Sequence, residues 1–454
     1  MPEGIAAFLE TSKKVITDGD FHSRFNDSKK RYIEKYNNAV KQFSDLKTAR
    51  NRAAHTRWKT IESLDKYLIE FEANVIKNKG KVLWALDAKQ AFDEIESVLK
   101  RNTGKKVFNN SMYVCRETGL NEWLKKNHAS KLASSNLLQY EQSAVTAHFS
   151  NSFLVDGVEE AETILKGDFP HLNFNDAYAE NEKASLTEHH TESISINDAL
   201  FICADTGSVV LAGNNKNSLL NNHSKIQIVL ATVDTILPSI SDLDLMLPLT
   251  ATFKNGEENF NCISIISSSR EENEPESAEE FYVLLLDNGR SDVITKENER
   301  QAVRCIKCGA CHYACPVYET VGSKPFNHFY SGPIASMMLP HINAFEDDYY
   351  LSFASTMCGA YEDVCPVNID FKKGILYNRS DGIKRKLYSS NEKWFYYLWR
   401  KTMLKRDFMN MKGIKPRKRI IENLFLKSAN NLRVLPETAA KTFNEQWREK
   451  TGQK

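Results

Sequence analysis

The chain has 454 residues, 41% of them hydrophobic and 26% charged, and its net charge is +1. That length suits two or three soluble domains, and so even a charge balance gives no general pull toward nucleic acid or a membrane surface. No run of about 18 apolar residues occurs, so no spanning helix is expected.

The first residues, MPEGIAAFLETSKKVITDGD, lack the basic start and cleavage site of a signal peptide, which points to a cytoplasmic protein. Residues 1–79 are predicted to be helical. Ile61, Leu64, Leu68, Phe71 and Val75 step by three and four and mark one apolar stripe on a helix that Lys79 and Gly80 end. From 80 to 297 strands and helices alternate. KVLWAL (81–86) reads as a buried strand, AKQAFDEIESVLKRN (88–102) as a helix and KKVFNNS (105–111) as a strand. ALFICADTGSVVLAG (199–213), KIQIVLATVDTIL (225–237), FNCISIISS (260–268) and EEFYVLLLDNGR (279–290) add further strands. Such alternation predicts an α/β domain with a largely parallel sheet. The Asp-Thr-Gly and Asp-Asn-Gly triplets fall at strand ends, as tight turns or as the lining of a ligand crevice beyond the strands. REENEPESAEE (270–280) holds six glutamates and reads as a solvated loop.

The pattern then changes. A cysteine-rich, helix-compatible module is expected over 298–383, and a basic and aromatic tail over 384–454. Residues 384–419 carry thirteen Lys or Arg against two acidic residues, with Trp394, Phe395, Tyr396, Tyr397 and Trp399 among them. This stretch reads first as rings turned inward under solvated charges. Docking to an acidic partner or peripheral docking to a membrane surface is the alternative, and nucleic acid is not favoured.

Six of the nine cysteines lie between 305 and 365. Clustered cysteines in a reducing compartment favour a metal or cluster over disulfides, whereas Cys115, Cys203 and Cys262 read as small buried apolar residues. CIKCGACHYACP places Cys305, Cys308, Cys311 and Cys315 in the spacing C-x2-C-x2-C-x3-C-P of a [4Fe–4S] site. A structural zinc is the competing reading for any CxxC pair. Two-residue gaps let a tight loop present three thiolates to one cube of iron and sulfur. Gly309 leaves room for backbone amides, and Pro316 is expected to break the chain and turn it away. In two-cluster ferredoxins the fourth cysteine of such a run serves the other cluster. The first site therefore takes Cys305, Cys308 and Cys311 and is completed by Cys365, whose Cys-Pro-Val echoes Cys315-Pro316-Val317. The second would take Cys315 and Cys358, but Tyr361 stands where a thiolate is wanted. A phenol is a hard ligand with an ordinary pKa of about 10, so that cluster is expected to be labile or absent.

These blocks, with RAAHTRWKTIESLDKYLIEFEANVIKNKGKVLWALDA (52–88), YSGPIASMMLP (330–340), SFASTMCGAYEDVCPVNI (352–369) and KTFNEQWREK (441–450), resemble the lactate utilisation protein B family, LUD-domain iron–sulfur proteins. The resemblance implies an N-terminal helical part, a CoA-transferase-like α/β LUD domain, a helical ferredoxin-like module and a tail. It implies electron transfer during oxidation of L-lactate to pyruvate, with two further lactate-utilisation proteins as partners. By position it assigns Cys305, Cys308, Cys311 and Cys365 to one family cluster and Cys315 and Cys358 to the other, with cysteine usual at position 361. The chain departs from the family at Tyr361, at VGSKPFNHFYSGP (321–333), in 145–185, at Asn214–Asn217 and at Tyr282, where a histidine is expected. Ser355, Tyr361 and His312 are the candidates to stand in for the missing thiolate. No nucleotide fingerprint such as G-x-G-x-x-G is found, so a non-catalytic electron-transfer subunit suits the chain better than an enzyme. The alternatives are a scaffold with one structural or regulatory cluster, a subunit of another oxidoreductase, and an enzyme acting through the α/β domain on a small acid or CoA-like ligand.

Overall fold

The computed structural model describes residues 3–109, 111, 113–128, 132, 193–213, 224–269, 278–387, single positions between 393 and 405, and 441–452. The expectations for 145–185 and Asn214–Asn217 lie outside these residues, as do most of the acidic loop and most of the basic, aromatic stretch. The described residues fall into two compact units, Met1–Gly382 and Ile383–Lys454. In the second, Phe443–Thr451 forms a helix opened by a capping box between Thr442 and Glu445.

The first unit opens with four helices, α1 (Glu3–Ile16), α2 (Gly19–Ala39), α3 (Leu46–Glu62) and α4 (Leu64–Lys77). Asp18 and Asp45 accept hydrogen bonds from the free backbone N–H groups that begin α2 and α3. The expected apolar stripe is divided at Ser63, where α3 ends and α4 begins. Ile61 on α3 joins one core, while Leu68, Phe71 and Val75 on α4 join another. A period of three and four carries on across a helix break when both helices turn the same side inward, so periodicity could not show the division.

The strands β1 (Lys81–Ala85), β2 (Lys106–Asn109), β3 (Ser193–Asp198), β6 (Ile226–Thr232) and β9 (Glu280–Leu286) form a five-stranded sheet in the order β1-β9-β6-β3-β2, parallel throughout. Alternate side chains of β6 and β9 point to opposite faces. Ile228, Leu230, Leu284 and Leu286 pack against α5 (Ala88–Arg101), α6 (Tyr113–Thr118) and α7 (Leu120–His128). Val229, Ala231, Val283 and Leu285 pack on the other side, against α4 and a second sheet. That second sheet has the order β7-β4-β5-β8, from β4 (Phe201–Cys203), β5 (Ser208–Gly213), β7 (Ile236–Leu237) and β8 (Cys262–Ile266). Its β4–β5 and β5–β8 pairings are antiparallel, an addition that the strand-rich sequence gave no reason to separate from the parallel sheet. KVLWAL is not a buried strand. It is the edge of the parallel sheet, with Trp84 43% and Leu86 68% exposed; apolar content alone does not distinguish an edge from a centre.

Both glycine triplets are turns. Gly207 has φ 66°, and a Cβ there would lie 2.6 Å from the backbone nitrogen of Val75. Asn74 and Asn78 of α4 hold this turn by donating to the carbonyls of Ala204 and Thr206. Asn288 and Gly289 also have positive φ, and their turn delivers Arg290 to the interior.

α8 (Leu243–Asn255) lies between β7 and β8, and further helices follow β9. These helices share one core with α2 and α3, in which Phe25 and Tyr32 pack on Tyr313.

Candidate iron–sulfur centre

The loop Cys305–Gly309 runs from a short 3-10 helix, Arg300–Arg304, into the helix Ala310–Ala314. Its tightness comes from two left-handed residues, Lys307 at φ 56° and Gly309 at φ 74°. Gly309 suits that conformation, and Lys307 is held in it by the side-chain contacts described below. The turn points the Lys307 N–H at Cys305 Sγ, 3.4 Å away. A second loop, Cys365–Asp370, lines the same cavity as the first, and there Ile369 N donates to Cys365 Sγ at 3.4 Å. Arg50 of α3 fixes that loop by donating from Nε and Nη2 to the Cys365 carbonyl at 3.0 and 2.7 Å. Arg304 holds its other end through the Asn368 carbonyl at 3.1 Å.

Cys305, Cys308, Cys311 and Cys365 line one cavity, shared with the apolar side chains of Ile306, Val367 and Phe371. Cys308, Cys311 and Cys365 are buried and Cys305 is half-buried. Burial pushes the Cys305 thiol up to about 12, with Cys365 adding to the effect. It raises Cys308, Cys311 and Cys365 in the same sense, and the neighbouring thiols reinforce the rise at Cys308 and Cys311. Four thiols in one cavity that resist ionising on their own need cationic iron to hold them as thiolates. The donor set, the shared cavity and the N–H groups aimed at two of the sulfurs fit a [4Fe–4S] cluster.

His312 lines this same cavity. Its Nε2 lies 2.9 Å from the Ser331 carbonyl, its ring stacks on Tyr318 with centroids 4.3 Å apart, and burial lowers it to about 4. The chain breaks at Cys315, whose extended backbone ends the helix Ala310–Ala314 just before Pro316. Pro316 opens the helix Pro316–Val321, where its fixed φ is favourable and its missing N–H costs nothing. The other two motif cysteines lie apart from the four-thiol cavity: Cys315 is buried, Cys358 is exposed, and each is electrostatically felt by Tyr361. Cys115 and Cys203 are buried as expected, but Cys262 is only half-buried. Tyr282 is buried in the parallel sheet, and its hydroxyl bonds Glu280 and the Lys81 ammonium.

Sequence reasoning missed a buried ion network between the sheet and the cysteine loop. Arg290, fully buried, donates from Nε to Asp234 Oδ1 at 2.6 Å and from Nη1 and Nη2 to the two Glu117 oxygens at 2.7 and 2.8 Å. It also reaches the Tyr330 hydroxyl at 3.0 Å. Arg57 donates to the carbonyls of Val303 and Arg304, immediately before Cys305, and to those of Asp234 and Ile236. The Lys307 ammonium bonds Thr232 Oγ1 at 2.8 Å and lies 3.8 Å from Asp234. Despite burial, the Lys307, Arg290 and Arg57 cations hold the Asp234 carboxyl far below the usual range. The one sequence signal was Asp234 itself, a lone carboxylate inside the apolar run KIQIVLATVDTIL.

Comparison with known families agrees with this architecture. The LUD domain matches residues 68–286 and the 4Fe-4S dicluster domain matches residues 301–369. The chain thus carries a LUD domain followed by a 4Fe-4S dicluster domain. It is similar to lactate utilization protein B of Bacillus subtilis (strain 168), 28% identical over 392 residues that cover 85% of this chain and 82% of that one. The protein of the same name from Bacillus licheniformis is 29% identical over 348 residues, covering 75% and 73%. That from Anoxybacillus flavithermus is 27% identical over 354, covering 76% and 75%. No solved structure matches the chain. The dicluster domain brings at least one [4Fe–4S] cluster. No helix among the described residues is long and apolar enough to cross a membrane.

Proposed function

We propose that this LUD-domain protein carries electrons in lactate utilization through a [4Fe–4S] cluster held by Cys305, Cys308, Cys311 and Cys365. The observation that carries the reading is the meeting of these four thiols, from loops well separated in sequence, around one cavity. The cluster supplies a centre that accepts and releases one electron. The chain's own residues do the rest. Burial by Ile306, Val367 and Phe371 keeps water from the sulfurs, the N–H groups of Lys307 and Ile369 oppose their negative charge, and Arg50 fixes the loop that brings Cys365 in.

We take the process served to be oxidation of L-lactate to pyruvate in the cytoplasm, with other lactate-utilisation proteins as the redox partners; the names of the relatives support lactate utilization as its setting. In this reading the domain over 80–297 is a scaffold that covers the cluster loop, rather than the seat of the oxidation. The test is anaerobic purification, iron and sulfide analysis, and EPR as the protein is reduced by L-lactate in the presence of the separately purified partner proteins. Lactate-dependent appearance of a reduced-cluster signal supports the proposal. A cluster that dithionite reduces, but that no lactate-dependent system reduces or reoxidises, refutes the electron-carrier role and leaves a structural cluster.

A further inference from the structure

The cysteine module contains two copies of one loop, and the second has lost the chemistry while keeping the backbone. Each residue of the second copy is numbered 50 above its counterpart, so that 355 answers 305 and 365 answers 315: CIKCGACHYACPV (305–317) against STMCGAYEDVCPV (355–367). Both copies leave a 3-10 helix, pass through five residues without regular structure (six in the second copy, which adds a bend at Ala354) and enter a short helix at an alanine, Ala310 or Ala360. The dihedral angles repeat as well. Lys307 and Met357 have φ 56° and 58°, and Gly309 and Gly359 have φ 74° and 87°. So does the inward N–H. Lys307 N donates to Cys305 Sγ at 3.4 Å, and Met357 N donates to Ser355 Oγ at 3.2 Å.

The donors differ. Ser355 occupies the position of Cys305 and Tyr361 that of Cys311, which leaves Cys358 and, by the crossed arrangement of the first site, Cys315. The two oxygens are partners to each other, with Ser355 Oγ 3.1 Å from Tyr361 Oη. Tyr361 is fully buried, and its ring meets Phe371 edge-on at 5.5 Å. A hydroxyl pair that satisfies its own hydrogen bonding has no need of a cation, and a packed phenol ring takes up space that a cube of iron and sulfur would require. Four thiolates suit such a cube; two thiolates and two neutral hydroxyls do not.

We infer that the second copy is a closed, cluster-free site with an intact cradle, in which the Ser355–Tyr361 pair stands where two thiolates would bind, so that the chain holds a single [4Fe–4S] cluster although its domain family is a dicluster one. This inference rests on the first four cysteines holding a cluster. Its functional consequence is that electrons pass one at a time, and a partner must reach the first cluster directly.

The deciding experiment measures iron, acid-labile sulfide and the EPR spectrum of the reduced, anaerobically reconstituted full chain. The wild type should contain about four irons with one uncoupled signal, and Ser355→Cys/Tyr361→Cys should reach about eight with magnetic interaction between centres. Tyr361→Phe removes only the hydroxyl and should change neither iron nor spectrum. Eight irons in the wild type, or loss of iron in Tyr361→Phe, would overturn the inference and leave the first site standing. A double variant that keeps the first signal and stays at four irons would overturn the intact cradle. No iron in a folded wild type would overturn both the inference and the reading beneath it.

Discussion

Replacing Arg290 with Met leaves the Glu117 and Asp234 carboxylates buried without their principal cation. In the wild type this guanidinium is fully buried and donates to Asp234, to both oxygens of Glu117, to the Asp287 carbonyl at 3.1 Å and to Tyr330. Breaking a buried pair by removing one partner costs about 3–5 kcal/mol, because the remaining charge stays desolvated. Lys307 and Arg57 still face Asp234, so the larger share of the loss falls on Glu117. The expected destabilisation is therefore about 3 kcal/mol or more at pH 8, read as a lowered urea midpoint by circular dichroism. Adding Glu117→Gln to Arg290→Met removes the orphaned charge and should recover about 1–2 kcal/mol, although each substitution alone destabilises. The pH dependence has a definite sign. In the wild type, Arg290 is among the cations that hold both carboxyls below their unfolded values, so their stabilising contribution is present above those values and is lost only as pH falls through the lower folded ones. Without Arg290 burial raises Glu117 instead, so the variant should be less destabilised at pH 5 than at pH 8. A loss under about 1 kcal/mol, or one equal at both pH values, would show that the network is not electrostatically coupled as the distances imply.

The cavity of the four thiols, the candidate first cluster site, was legible because its information is local. Fixed spacing among Cys305, Cys308 and Cys311 determines which sulfurs a single tight loop can present, and the Cys-Pro-Val echo at 365 supplies the fourth. The parallel sheet was legible for a related reason. A strand buried on both faces, such as β6 or β9, is a continuous apolar run, and helical texture lies between the strands. What period and content cannot report is which side of an element meets which neighbour. Hence Trp84 looked buried but lies on an edge, and one apolar stripe hid the break at Ser63. The ion network was illegible because Glu117, Asp234, Arg290 and Lys307 come from four segments that only the fold brings together. The repeated loop was visible in its Cys-Pro-Val ends. The answer of Ser355 to Cys305 needed the dihedral angles and the matching N–H contact, because serine in a loop is otherwise unremarkable.

Cys365→Ser and Cys308→Ser should lose the first cluster equally, as iron content and visible absorbance will show; full iron in the former would break the crossed assignment of ligands. Gly207→Ala should destabilise by about 2 kcal/mol or more, since a left-handed conformation and a Cβ 2.6 Å from the Val75 nitrogen act together. Gly104→Ala, also left-handed but with open space around its Cβ, should cost only about 1 kcal/mol in the same urea titration. The last prediction concerns Lys254, at the end of α8. Its ammonium bonds the Tyr113 hydroxyl and lies 4.6 Å from the centre of that ring, and Tyr113 in turn lines the cavity of the four thiols. Burial pulls the lysine down to about 8, with the Cys308 sulfur opposing the fall. An electron added to the cluster brings negative charge to the same place, so the reduced protein should bind this proton more tightly than the oxidised one. Above pH 8 the midpoint potential should then fall as pH rises, by up to about 60 mV per pH unit, and Lys254→Met should flatten the slope without loss of iron. Potentiometric titration followed by EPR from pH 6 to 10 measures both proteins. Equal slopes would mean that the Lys254 charge does not respond to the electron, and that Tyr113 screens it from the cluster.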